Sequence, residues 1–239
     1  MHVPGASYIM NLLNTYKTFK DYSTPGLAQK DIGRLKDEIW RPLRCTTDMS
    51  FLEIGCGTGH CLAFLQYMQV NEFLGIDQDA ELQSVIPASL AKNFKTMDVW
   101  KLFEVGAEIK TFDRVIMLDV FEHFTVEEGS RLLEELKRRL KPGGAVLLRM
   151  PNASSPLGLQ YQFGDLTHKT AYSPGNIRQL AIAAGYKCTE CYPHRQGSPM
   201  RRFLDPILQR VINRLVMTPL EIWSANFYAI LEPEDEAQR

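Results

Sequence analysis

The sequence predicts an α/β fold built on a mostly parallel sheet of seven strands, with helices on both faces. Its 239 residues, 45% hydrophobic and 23% charged, are enough for one globular domain with a substantial core. From residue 50 onward, strand patterns and helix patterns alternate, which is typical of a parallel sheet covered on both sides. A glycine-rich turn follows the first strand pattern and opens a helix, an arrangement that suits ligand binding.

Seven segments have the pattern of a strand and set the order of the fold. The helix after the fourth is marked by Thr125 and Glu128, which have capping-box spacing, and is expected to end at residues 141–144. Another helix is expected to start at Ser173 and Pro174. The predicted strands are residues 50–54, 73–77, a short segment before Asp98, 114–118, 145–149, 186–192 and 226–231.

Two helical patterns precede the first strand, at residues 9–19 and 32–39. A further short helix is expected to begin near Asp79 and to stop before Pro87. We therefore expect residues 1–47 to form an N-terminal helical cap and residues 48–239 to form the main domain.

Charge and cysteine content exclude several classes of protein. Lys and Arg number 27 against 28 Asp and Glu, so there is no overall basic field and no nucleic-acid partner is expected. No apolar run approaches the roughly 20 residues that cross a bilayer, and the first residues lack the pattern of a secretory signal. The five cysteines show no framework spacing, which favours reduced thiols and a cytoplasmic location.

Two of these cysteines, Cys188 and Cys191, form a lone CxxC pair in a predicted strand. A three-residue offset in a regular strand points two side chains to opposite faces. With no second ligand pair in the sequence, no metal or redox role is expected.

The glycine-rich turn lies in residues 51–60, Phe-Leu-Glu-Ile-Gly-Cys-Gly-Thr-Gly-His. Glycines let the backbone approach a ligand, and the start of the following helix offers N–H groups. A dinucleotide-binding turn would need glycine at position 60, which is His60. The pattern present is G-x-G-x-G, preceded by Glu53.

Acidic residues then follow successive strands in a regular order. Asp77 ends the second strand, eighteen residues after Gly59, and an acidic side chain there can accept hydrogen bonds from ribose hydroxyls. Asp98 follows the third strand, residues 118–123 (Leu-Asp-Val-Phe-Glu-His) end the fourth, and Lys-Pro-Gly-Gly at 141–144 precedes the fifth.

This ordered set resembles the class I S-adenosylmethionine-dependent methyltransferases over roughly residues 48–190. The resemblance implies a Rossmann-like sheet with an antiparallel last strand and S-adenosylmethionine as the cofactor. It places Asp98 near the adenine amino group, with Val99 and Trp100 on the adenine faces. The cofactor-binding residues that it implies are Glu53, Gly55, Cys56, Gly57, Gly59, Asp77, Gln78, Asp98, Val99, Trp100, Leu118, Asp119 and His123.

A long segment after the fifth strand, residues 150–174, is predicted to be the acceptor loop, since ligands bind beyond the carboxyl ends of such strands. It is similar to methyltransferases of bacterial polysaccharide (O-antigen and capsule) gene clusters. The similarity implies a sugar, nucleotide-sugar or lipid-linked glycan acceptor. The acceptor-binding residues that we expect are Asn152, Tyr161, Thr167, Tyr172, Arg201 and Arg202.

An alcohol acceptor loses a proton as it is methylated, so a base is expected near the methyl group. His168 is the first candidate, oriented or charged by Asp165, and His123 is its rival. Alternatively, Asp165, Thr167 and His168 only fix the loop by hydrogen bonds. No Asp-Asn pair follows in the place where a metal-dependent variant has one, so no catalytic metal is expected.

Residues 195–222 are predicted to be a basic helical insertion before the last strand. Its amphipathic helix is expected to start at Asp205 and Pro206. The apolar stripe could pack on the main domain or on a second subunit, giving a homodimer. Alternatively, residues 201–217 could lie on an anionic membrane, which suits a lipid-linked acceptor. The insertion carries five arginines, Arg195, Arg201, Arg202, Arg210 and Arg214.

These patterns lead to one functional hypothesis and two rivals. The hypothesis is a cytoplasmic O-methyltransferase for a sugar or glycan, peripheral at the inner membrane if the basic helix meets lipid. The first rival is a methyltransferase for a small aromatic or quinone-type acceptor. The second is a non-catalytic cofactor-binding or scaffold protein.

Overall fold

The computed structural model describes residues 26–104, 110–195, 197 and 199–234. The predicted helix at 9–19 lies outside these residues, and nothing is described of the side chains of Arg201 and Arg202. The chain forms two compact units, Met1–Met117 and Leu118–Arg239.

The first unit contains β1 (Ser50–Ile54), β2 (Glu72–Asp77), β3 (Phe94–Thr96) and β4 (Phe112–Leu118). β1 pairs in parallel with β2 and with β4, and β2 pairs in parallel with β3. All five residues of β1 are buried, which explains why its sequence is mostly apolar without alternation. Among the described residues of this unit, the α-helices are α1 (Gln29–Leu35), which continues as a π-helical turn at Lys36–Trp40, and α2 (His60–Tyr67).

Short 3₁₀ helices fill the remaining connections of this unit, at Ala80–Ser84, Ala88–Asn93 and Val99–Phe103. The helix predicted near Asp79 is therefore a single 3₁₀ turn. Its first N–H groups are capped by the Asp79 carboxylate, which accepts a hydrogen bond from the Glu81 amide.

The second unit contains α3 (Val126–Lys137), β5 (Leu140–Pro151), α4 (Pro156–Gln162), α5 (Pro174–Ala183), β6 (Tyr186–Pro193), α6 (Pro199–Leu215) and β7 (Asn226–Pro233). The capping box of Thr125 and Glu128 is present, and Ser173 caps α5 as predicted. The helix α3 ends before residues 141–144, which belong to the start of β5.

The strand order is β3-β2-β1-β4-β5-β7-β6. β7, the last strand in the chain, runs antiparallel to both β5 and β6. The predicted seven-stranded α/β sheet with an antiparallel last strand is confirmed.

Two predicted boundaries are wrong. The segment 150–174 is not a continuous loop, because α4 forms within it, capped by the Ser155 hydroxyl and opened by Pro156. The helix α6 begins at Pro199 rather than at Pro206, which lies inside the helix. The sequence offers two prolines suited to a first turn, and the earlier one is used.

The prediction for the two cysteines of β6 is also wrong. Cys188 Sγ and Cys191 Sγ lie 3.5 Å apart instead of pointing to opposite faces. The register of β6 against β7 shifts between Cys188 and Glu190. A bulge of this kind adds a residue to one strand and so breaks its alternation.

The apolar stripe of α6 is exposed in the part of the chain that the structure describes, so its packing on the main domain stays a prediction. The helix is held through Asn213, whose side chain bonds the Leu220 carbonyl and the Trp223 indole. No helix within the described ranges is long and apolar enough to cross a membrane. Five side chains of the stripe are 46% to 80% exposed: Leu204, Ile207, Leu208, Val211 and Leu215.

Candidate functional site

The glycine turn between β1 and α2 has the geometry of a ligand-binding loop. Gly55, Gly57 and Gly59 have φ angles of 69°, 52° and 84°, a left-handed region that costs other residues energy. A Cβ atom added at Gly57 would meet no atom within 4 Å. The backbone at Gly57 therefore borders open space, as a loop that approaches a cofactor requires.

Asp77 is fixed beside this turn at the end of β2. Its Oδ2 accepts a hydrogen bond of 2.9 Å from the Gly57 amide, and its Oδ1 accepts one of 3.0 Å from the Asp79 amide. Burial raises the pKa of Asp77 despite these hydrogen bonds. Each carboxylate oxygen has a second lone pair, so Asp77 can hold the turn and still accept from a ribose hydroxyl.

Two further residues that are predicted to bind the cofactor lie buried in or next to the turn. Glu53 and Cys56 are buried, at 3% and 6% exposure. A Cβ atom at Gly75 of β2 would lie 2.9 Å from Cys56 Sγ, so glycine is needed there for the turn to approach the strand. Gln78, next to Asp77, is exposed.

The residues after β3 form a separate short element. Asp98 is exposed, and its carboxylate accepts a hydrogen bond of 2.9 Å from the Trp100 amide, which caps the 3₁₀ helix. Val99 is buried, while Trp100 is partly exposed and makes an edge contact with Phe103. Asp98 thus has a local structural role, and contact of these residues with adenine remains a prediction.

In the second unit, Asp119 follows β4 with a left-handed φ of 57° and pairs with a basic residue that the sequence analysis missed. Both carboxylate oxygens of Asp119 bond the guanidinium of Arg149, which also lies 3.5 Å from the Tyr228 hydroxyl. An arginine inside the apolar strand β5 was the signal that could have revealed it. Leu118, just before Asp119, is partly exposed.

Four side chains of this unit form what we name the histidine–carboxylate cluster: Glu122, His123, Asp165 and His168. The rings of His123 and His168 meet edge to face, with centroids 4.7 Å apart. One ligand atom each from Glu122, His123 and His168 lies within 4.8 Å of the others. The cluster confirms none of the predicted roles by itself, but it brings both candidate bases together with Asp165.

His168 is oriented by a backbone contact. Its Nδ1 lies 3.0 Å from the carbonyl oxygen of Gln162, so Nδ1 carries the proton that is donated to that oxygen. Its Nε2 lies 3.8 Å from Glu122 Oε1 and 3.9 Å from Asp165 Oδ2. In the neutral ring, the lone pair is therefore on Nε2, on the side of the two carboxylates.

His123 is oriented by a chain of two hydrogen bonds. The Thr167 hydroxyl donates to Asp165 Oδ1, and its oxygen lies 3.0 Å from His123 Nδ1. Since the hydroxyl proton is used, His123 Nδ1 is the donor in that contact. Burial raises the pKa of Asp165, but the hydrogen bonds from Thr167 and the electrostatic effect of the two histidines lower it by more, so the pKa lies below its usual range.

Glu122 was predicted only as part of a family motif and was given no role. Its side chain is completely buried, and neither carboxylate oxygen has a hydrogen-bond partner among the described residues. Burial raises the pKa of Glu122 well above its usual value, and the nearby charge of Asp119 adds to this. The carboxyl group can stay protonated in this position, and its ionised form would need a compensating positive charge.

The other predicted acceptor residues differ in placement. Asn152 is completely buried, and its amide donates to the carbonyls of Ile222 and Ser224, which favours a structural role over acceptor binding. Tyr172 is also buried, and its ring packs on Phe121. Tyr161 is 42% exposed on α4 and stays a candidate for contact with an acceptor.

Comparison with known proteins agrees with this geometry. The methyltransferase domain family matches residues 27–191. A malonyl-[acyl-carrier protein] O-methyltransferase of Haemophilus ducreyi is 30% identical over 153 residues, which are 59% of this chain and 54% of that protein. A polyketide synthase–nonribosomal peptide synthetase of Pyricularia oryzae is 32% identical over 129 residues, 49% of this chain and 3% of that protein. The chain thus spans about half the length of the first relative and a small part of the second.

Solved structures share the fold. A SAM-dependent methyltransferase from Archaeoglobus fulgidus superposes with a TM-score of 0.64 at 18% identity, covering 92% of this chain and 98% of its own. The plantazolicin methyltransferase BpumL, solved in complex with a triazolic desmethylPZN analogue and SAH, has a TM-score of 0.58 at 20% identity, covering 95% of this chain and 91% of its own.

The glycine turn borders open space, and the Asp77 carboxylate is fixed beside it. The family match over more than half of the chain agrees with this geometry. The turn fits the predicted cofactor, because Gly57 leaves room for a ligand and Asp77 can accept hydroxyl donors. The chain belongs to the methyltransferase domain family.

Proposed function

We propose that the chain transfers a methyl group from S-adenosylmethionine to a hydroxyl group of a sugar or glycan. The histidine–carboxylate cluster is the observation that carries this proposal. A carboxyl acceptor is already ionised near neutral pH and needs no base, whereas an alcohol must lose a proton as it is methylated. The two histidines and two carboxylates of the cluster lie close together, with His168 Nε2 at 3.8 Å from Glu122 Oε1 and 3.9 Å from Asp165 Oδ2. Such a group of side chains is well suited to receive that proton.

The sugar is supported by the similarity of residues 150–174 to methyltransferases of bacterial polysaccharide gene clusters. The test is a methyl-transfer assay against nucleotide sugars, lipid-linked glycans and simple phenols. Methylation of a sugar hydroxyl is expected. Transfer to phenols alone, or to a carboxyl group alone, would contradict the sugar acceptor.

In this proposal, the first unit binds the cofactor and the second unit receives the proton of the acceptor. When bound, S-adenosylmethionine supplies a methyl group on a positively charged sulfur, so positioning of the acceptor can provide much of the acceleration. The glycine turn and Asp77 hold the adenosyl part. His168 is the first candidate to accept the hydroxyl proton, with Asp165 stabilising the charge that it gains, and His123 is the alternative.

Replacement of Asp77 tests the cofactor half of the proposal. Asp77→Ala is expected to weaken S-adenosylhomocysteine binding by about 1–3 kcal/mol, roughly 5- to 150-fold, because buried hydrogen bonds are lost. Isothermal titration calorimetry measures this. Glu72→Ala, at the other end of β2, is the control, because Glu72 is half exposed and contacts Lys110 at the surface. Equal affinities for both variants would reject the assigned role of Asp77.

The exposed stripe of α6 supports a peripheral place for the enzyme at the cytoplasmic face of the inner membrane, near a lipid-linked acceptor. Arg210 and Arg214 lie on the same helix as the exposed apolar residues, and a basic amphipathic helix binds anionic lipid.

A vesicle assay tests this placement. The protein is expected to co-sediment with phosphatidylglycerol vesicles, and added salt is expected to release it. R210E/R214E should weaken binding roughly 30-fold or more, at about 1 kcal/mol per basic residue. K30E/R138E changes the charge equally on α1 and after α3 and should bind as the wild type does. No salt-sensitive binding, or equal loss in both double variants, would leave a homodimer as the explanation of the stripe.

A further inference from the structure

The histidine–carboxylate cluster brings one potential ligand atom each of Glu122, His123 and His168 within 4.8 Å of one another. His168 Nδ1 donates to Gln162, so its Nε2 lone pair lies on the side of Glu122 and Asp165. His123 Nδ1 donates to Thr167, which in the same way puts the other ring lone pair on Nε2. Acceptor atoms gathered in this way repel one another unless a positive charge lies among them.

The distances within the cluster suit a shared cation better than hydrogen bonds. His168 Nε2 is 3.8 Å from Glu122 Oε1 and 3.9 Å from Asp165 Oδ2, too far for a direct hydrogen bond. Nitrogen and oxygen ligands bind a zinc-like cation at about 2.1 Å, so two ligands of one ion lie roughly 3.0–4.2 Å apart. Both measured distances fall within that interval.

Two features of the surroundings are typical of metal ligands. Metal-binding histidines usually donate their other N–H to a backbone carbonyl or a carboxylate-linked group, as His168 does to Gln162. Glu122 is completely buried, and both its oxygens are without a hydrogen-bond partner in the described residues. A cation would place a positive charge beside the ionised form of Glu122.

We propose that Glu122, His123 and His168 bind one divalent transition-metal cation, with Asp165 as a fourth group within reach. Two imidazoles and one carboxylate favour Zn²⁺, Mn²⁺ or Fe²⁺ over Mg²⁺, which prefers an all-oxygen shell. The Asp-Asn pair that was missing from the sequence is not needed by this set of ligands.

For its role, though not for binding itself, this inference rests on the proposed function. A cation held by Glu122, His123 and His168 would make a nearby acceptor hydroxyl more acidic. Asp165 would receive the hydroxyl proton, and the methyl group would pass from the sulfur to the oxygen as the carbon–sulfur bond breaks. In the cation-loaded enzyme His168 is a ligand, and in the cation-free enzyme it is the base.

Calorimetric titration of the chelator-treated protein with ZnCl₂ and with MnCl₂, without donor or acceptor, tests the site. One cation per chain is expected for the wild type. Glu122→Gln and His168→Asn should each weaken binding at least tenfold. Glu127→Gln, an exposed glutamate at the start of α3, is the matched control, and C188S/C191S excludes binding at the cysteine pair; both should bind as the wild type does.

S-adenosylhomocysteine affinity, measured on the same samples, shows that each variant is folded. Absence of wild-type binding at millimolar cation, unchanged binding in both ligand variants, or loss of binding in C188S/C191S would overturn the site. Cation binding without methyl transfer to any hydroxyl would reject the proposed function and leave the site standing. Methyl transfer to a hydroxyl without cation binding would reject the site and leave the proposed function standing.

Discussion

His168→Ala is expected to lower the turnover number at least about 100-fold while leaving S-adenosylhomocysteine affinity within about twofold of the wild type. The His168 imidazole can either receive the proton of the acceptor hydroxyl or bind a cation, and both roles depend on Nε2. Steady-state kinetics with the acceptor found in the methyl-transfer assay, together with calorimetry, separates the loss of turnover from the loss of cofactor binding.

Two further variants show whether the loss of turnover comes from the missing imidazole Nε2 or from a change in the loop structure. Lys169→Ala changes the next residue, an exposed lysine that pairs with Glu128, and should keep normal turnover. His168→Asn keeps a side-chain donor for the Gln162 carbonyl but lacks Nε2, and should be as slow as His168→Ala. Recovery of turnover in His168→Asn would mean that the histidine only fixes the segment after α4.

Gly158→Ala is expected to reduce the free energy of unfolding by roughly 3 kcal/mol or more, at the upper end of what overpacking costs. A Cβ atom at Gly158 would lie 2.1 Å from the carbonyl oxygen of Asn152 and 2.7 Å from that of Ala225. Both are backbone atoms, so no side chain can move aside to relieve the clash. Urea unfolding followed by circular dichroism measures the change.

Gly175→Ala is the matched control for that variant. Gly175 lies in the first turn of α5, and its added Cβ would meet nothing closer than Ser173 Oγ at 3.8 Å. Alanine there should be neutral or stabilising by about 0.5–1 kcal/mol, since glycine costs a helix more entropy. If Gly158→Ala proved as stable as Gly175→Ala, α4 would not pack on the backbone as described.

Much of the fold could be predicted because its signals are local. β1 and β4 are mostly apolar runs, the capping box of α3 and the Ser173-Pro174 start of α5 are local patterns, and the glycine turn requires φ angles that few other residues adopt. The positions of the first three strands and the cofactor turn followed from these patterns alone.

Features that depend on pairing between distant residues could not be predicted. The ion pair of Asp119 with Arg149 joins residues that are thirty positions apart. The approach of Cys188 to Cys191 depends on the register with β7. The burial of Glu122 depends on which elements cover it, and these lie far from it in the sequence.

The acceptor segment is anchored to residues far along the chain, and this has a consequence for synthesis. Asn152 donates to the carbonyl of Ile222, 70 positions away, and the Ser155 hydroxyl donates to that of Trp223. As the chain leaves the ribosome, the first unit can assemble first. The second unit has to wait until the stretch leading into β7 has been translated, so premature termination there leaves a protein in which residues 150–174 lack these hydrogen bonds.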